Sequence, residues 1–135
     1  MDLVERGRRA FSALAGKYGV ELAVLFGSAA RGRAGPLSDV DIAVEMGDLR
    51  RLPDLIVDLA ELLDIPEDKL DVVPLTPDLP SELKYRIFAE GVLLYASSRE
   101  RYVDEAVRAF SEWGDFEVFL RKHGLPRRLW EKSRR

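Results

Sequence analysis

Leu25-Phe26-Gly27-Ser28, ten further residues, then Asp39-Val40-Asp41-Ile42-Ala43-Val44-Glu45: the fold of this chain turns on how that stretch is read. Two carboxylates two apart on a strand share one face, about 7 Å apart along it. They are not core residues, because unpaired buried charge is too costly. Val40, Ile42 and Val44 point the other way and supply a buried face. A pair of aspartates with no fixed cation nearby calls for a counter-ion, and a divalent metal is the usual one.

Upstream, Glu21 to Phe26 reads as a strand ending at Gly27, with Ser28 opening a short helix through Ala29, Ala30 and Arg31. Glycine allows another group close to the backbone, serine is a good N-cap, and free N–H groups at a helix start favour an anion. Arg31 and Arg33, in the loop that follows, are candidates for phosphate contact. An anion site beside a metal site suggests a nucleoside triphosphate carried with Mg2+.

Outward from this centre the pattern alternates helices and strands. Residues 2–18 read as a helix with Val4, Ala10, Phe11 and Leu14 near one face and Arg6, Arg8 and Arg9 outside; Gly16 and Gly19 bracket its end. Residues 48–65 carry Leu52, Leu55, Ile56, Leu59, Leu62 and Leu63 at helical spacing, with Pro53 in the first turn. A strand follows over 69–74, then a helix from Thr76–Asp78 through Glu90 that stops at Gly91. Gly91 to Ala96 is a fourth strand. Ser97 or Ser98 caps a last helix to about Lys122. The order predicts an α/β or α+β fold.

Gly27-Ser28-x10-Asp39-Val40-Asp41 resembles the motif of the DNA polymerase beta-like nucleotidyltransferase superfamily, and Asp71 in Lys69-Leu70-Asp71-Val72-Val73 stands where that superfamily has a third aspartate. Over residues 10 to 96 the chain is most similar to the minimal nucleotidyltransferases, antitoxin partners of HEPN toxins. The resemblance implies a small mixed sheet flanked by helices: a core over 1–97, with residues 98–135 adding a helix and basic tail to the same domain. It implies that Asp39, Asp41 and Asp71 are catalytic and hold two Mg2+ (or Mn2+) ions. Gly27 and Ser28 would hold the β- and γ-phosphates of ATP. The implied reaction moves AMP to a hydroxyl, a tyrosine of a HEPN toxin ribonuclease. Two alternatives stand beside it: an antitoxin that blocks its partner by binding alone, and nucleotidylation of a small hydroxyl compound. Relatives of that last kind carry an additional substrate domain, and the segment after Tyr95 is short for one.

Composition bounds the remaining classes. With 135 residues the chain is one domain. No apolar run approaches a membrane span, and no signal-peptide pattern opens the chain, so a cytoplasmic protein is expected. The absence of cysteine excludes disulfides and thiolate metal sites. No GxxxxGK[ST] loop is present. The single histidine, His123, lies in a Gly-Pro breaker near the tail, and Trp113, Trp130, Phe116 and Phe119 read as core or interface. Charged residues make up 33% of the chain, and asparagine and glutamine are absent. That composition is expected of a thermophile protein, with an unfolding midpoint above the mesophile range. The net charge of -3 conceals a split: residues 121–135 hold seven Lys or Arg against Glu131. The acidic body does not suit general nucleic-acid binding; the basic tail could contact nucleic acid or an acidic protein.

Overall fold

The computed structural model describes residues 2–32 and 38–112, together with Arg121 and Gly124. Arg33, His123, Trp113, Trp130, Phe116, Phe119, most of the basic tail and the expected extension of the last helix to Lys122 lie outside the described residues.

Strands β1 (Val20–Phe26), β2 (Val40–Met46), β3 (Leu70–Pro74) and β4 (Val92–Ala96) form one sheet in the order β3-β2-β1-β4. β1 runs antiparallel to both β2 and β4, and β2 runs parallel to β3. The sheet is therefore mixed, as expected. Helices α1 (Leu3–Tyr18) and α3 (Leu52–Leu63) cover one face. Helices α4 (Ser81–Glu90) and α5 (Arg99–Glu112) cover the other, and the four-residue α2 (Gly27–Ala30) follows β1 directly.

The apolar run of β1 is buried from both sides. Ala23 and Leu25 join Val40, Ile42 and Val44 under α1 and α3. Leu22 and Val24 join Ala43 under Ile87, Phe88, Tyr102 and Phe110. Strands covered on both faces read as continuous apolar segments for this reason.

Helix ends follow local chemistry. The Asp2 carboxylate accepts from the Glu5 N–H at 2.8 Å, and Gly19 closes α1 in the left-handed region at φ 64°. Arg6, expected outside, is half-buried and donates from Nη1 to the Leu63 carbonyl at 3.1 Å. It thus satisfies a terminal carbonyl of α3 and places positive charge at that helix's negative end. α3 buries Leu55, Leu59, Ala60 and Leu63, whereas Leu62, at the margin of the stripe, is 49% exposed. α4 begins at Ser81 rather than at Thr76–Asp78. Pro77 and Pro80 keep the residues before them out of helical geometry, and Thr76 Oγ1 donates to Asp78 in the intervening turn at 2.5 Å. Among the described residues no helix is long and apolar enough to cross a membrane.

Candidate active site

Three neighbouring strands bring the expected residues to one end of the sheet. Phe26, the last residue of β1, pairs with Asp41, and Asp41 pairs across the parallel ladder with Asp71. Gly27 follows immediately. Asp39 stands one residue before β2, which begins at Val40, so only Asp41 of the pair lies within the strand proper. Asp39 and Asp71 are exposed and Asp41 is half-buried.

Gly27 lies directly against the Asp41 carboxylate. A Cβ added there would stand 2.4 Å from Asp41 Oδ2, and the backbone is held at φ 73°, where side chains are strained. A glycine here both makes the turn out of β1 and keeps the Asp41 oxygens in place. Gly27→Ala is therefore expected to displace that carboxylate, with a stability loss of about 1–2 kcal/mol; an unfolding midpoint compared with wild type checks it.

The carboxyl of Asp41 is pushed above its ordinary value, first by burial, then by the charge of Asp71 and a hydrogen bond with it, and last by the charge of Asp39. Asp41 thus lies within electrostatic reach of both other aspartates. Among the described residues no three His, Cys, Asp or Glu side chains form a ready-made metal cage. An oxygen-only, excess-negative set nonetheless fits Mg2+ or Mn2+. Such ions are usually held by one or two carboxylates, with substrate phosphates and water completing the shell.

Ser28 is the second residue of α2 rather than its cap: the cap position is Phe26, and no side chain bonds there. Its neighbour Arg31 donates from Nη1 to Glu90 Oε2 at 3.0 Å, tying the end of α2 to α4. Both partners are well exposed, so this pair adds only about 0–1 kcal/mol and leaves the guanidinium free to take another anion. Arg33 is not among the described residues.

Sequence reading passed over Glu45, which shares the β2 face of Asp41. It is paired with Arg101 of α5 at 2.5 Å, and its side chain is 14% exposed. The partner lies 56 residues downstream, a separation that no local periodicity reveals.

Comparisons with known proteins bear on the family and the fold. Residues 11–100 match the family described as Polymerase beta, Nucleotidyltransferase. A Methanocaldococcus jannaschii protein named "Putative protein adenylyltransferase" is 40% identical over 76 residues, covering 56% of this chain and 81% of that protein. A chain from the crystal structure of a toxin–antitoxin with AMP-PNP superposes with a TM-score of 0.61 at 23% identity, over 93% of this chain and 96% of its own. A chain from the structure of a tri-AMPylated Shewanella oneidensis HEPN toxin in complex with MNT antitoxin gives a TM-score of 0.58 at 20% identity, over 96% and 97% of the two chains. At those identities the two structures establish the shared fold. With two-thirds of its length matched, this chain belongs to the polymerase beta nucleotidyltransferase family.

Proposed function

We propose that this chain is a protein adenylyltransferase that moves AMP from Mg-ATP to a tyrosine hydroxyl of a HEPN-domain toxin ribonuclease, and so acts as its antitoxin. The observation that carries the reading is the seat of Gly27 against Asp41, with Asp71 beside Asp41 in the parallel ladder. The name of the M. jannaschii relative and the toxin–antitoxin origin of the structural neighbours support it.

In this reading Gly27 and Ser28 hold the β- and γ-phosphates, and Arg31 and Arg33 add positive charge beside them. Asp39, Asp41 and Asp71 would hold two Mg2+ (or Mn2+) ions together with the phosphates. When bound, such ions neutralise charge on both the attacking and the leaving oxygen of an in-line displacement. Asp71 orients the acceptor hydroxyl and receives its proton. The tyrosine oxygen bonds to the α-phosphorus as the α–β phosphoanhydride bond breaks, and pyrophosphate departs. AMP on the toxin adds bulk and negative charge to a surface that must bind RNA phosphates, which neutralises it.

The test is the intact mass of the candidate toxin after co-expression with this chain. A gain of one or more AMP units is the expected result. No gain in a stable complex would overturn transfer and leave an antitoxin that acts by binding.

A further inference from the structure

A shallow groove of about 660 Å3 runs between the last turns of α3 and the bend that follows it. Its floor is apolar, made by Val57, Ala60, Ile65 and Pro66. Val57 stands opposite the buried stripe of Leu55, Leu59 and Leu63 and is 50% exposed. A surface helix ordinarily turns a polar residue to water at such a position.

The rim is acidic. Glu61, Asp64 and Glu67 line it, and all three are exposed. Among the described residues no ion pair engages any of them. The last turn of α3 carries no basic residue, and its negative end favours cations over carboxylates. Arg6 serves the Leu63 carbonyl there, one positive charge against three negative ones.

The sequence holds a segment of the opposite character. Residues 125–135 carry five Lys or Arg against Glu131, interleaved with Leu125, Leu129 and Trp130. Its attachment brings it within reach. Glu112, at the end of α5, accepts from Ser81 at the start of α4, beyond the end of β3, whereas Pro66 and Glu67 precede the start of β3. The path thus leads round the edge strand β3, itself about 17 Å long. Residues 113–124 span about 40 Å when extended, enough to cover it. Tethering also holds the segment at an effective concentration of roughly millimolar, which favours it over a free basic peptide.

We propose that residues 125–135 dock in this groove of their own chain, with Leu129 and Trp130 on the apolar floor beside Val57 and the basic side chains on Glu61, Asp64 and Glu67. The inference goes beyond nucleotidyl transfer and does not depend on it. A tail held in this way is withheld from nucleic acid and from acidic proteins until something displaces it.

The experiment follows chymotrypsin cleavage after Trp130 in the full chain by intact mass, with unfolding midpoints as a folding control. Cleavage requires the free segment, so Glu61→Lys/Glu67→Lys is expected to be cut about tenfold faster than wild type. Val57→Ser, which changes no charge, should be cut faster as well. Adding Arg134→Glu/Arg135→Glu to the double groove variant should restore slow cleavage, which a general loosening of the fold would not allow. Equal rates in wild type and in both folded groove variants would overturn the docking. So would wild-type protection that grows with protein concentration, the result expected if the segment fills the groove of a second copy.

Discussion

Asp39→Asn combined with Asp41→Asn is expected to cut AMP transfer by roughly a thousandfold or more, the scale on which loss of a preorganised electrostatic group is felt, without destabilising the protein at neutral pH. The two effects have one origin. Asp41 is pushed up by burial and by two neighbouring carboxylates, so its charged form is disfavoured in the folded state. Its folded value lies above its unfolded one. The stability it contributes is therefore present below the ordinary carboxylate range and is lost as pH rises through the raised value. At pH 7 the ionised carboxylate opposes folding, and asparagine removes that opposition. The variant's unfolding midpoint should equal or exceed the wild type's at pH 7, with the difference fading below about pH 4. Mg2+ should raise the midpoint of the wild type more than that of the variant, because only a folded, charged site gains from binding it. A toxin mass gain that persists in the folded variant would remove these aspartates from the chemistry; a variant that unfolds at neutral pH would overturn the electrostatic account.

The second large effect is on stability and lies at Gly91. Gly91→Ala is expected to cost about 3 kcal/mol, the upper end of ordinary overpacking, and to lower the midpoint by roughly 10 °C. A Cβ there would meet the Ile87 carbonyl oxygen at 2.1 Å, Val24 Cγ1 at 2.5 Å and the Leu25 carbonyl oxygen at 3.1 Å. Two of those atoms are backbone of elements that cannot give way independently, since α4 packs there on the central strand. Gly16→Ala is the matching control: it lies inside α1 with nothing within 4 Å of the added carbon. That exchange should stabilise by about 0.5–1 kcal/mol. Similar midpoints for the two variants in thermal melts would count against the crowding described at Gly91.

Gly91 also marks where sequence reading stops. Its place after a helix is legible as a stop signal, yet its φ of -75° is open to any residue. What demands glycine is the approach of Val24 and Leu25, a contact across 66 residues that no local pattern encodes. The same holds for Arg6 at the Leu63 carbonyl and Arg101 at Glu45. Local signals did carry the elements themselves. The run Glu21–Phe26, the alternation Val40-Ile42-Val44 and the leucine spacing of α3 each reflect a face that must be buried, and each is where expected. Asp41 stood out because charge on a strand face has few structural uses, and Asp71 only through the family resemblance; the sheet register sets the two side by side, next to Gly27. The reach of α4 was not legible, because two prolines within an otherwise helical composition decide its start.

The sheet ends on β3, five residues long, with exposed Asp71 near its start and Pro74 as its last residue. An outermost strand offers unpaired backbone groups to any other chain, and brevity, charge and proline each discourage that pairing. The carboxylate proposed to take a proton thus also keeps copies of the molecule from zipping edge to edge. An apolar residue at position 71 would remove that charge from the edge, so the proposed catalytic role and colloidal behaviour would fall on the same side chain.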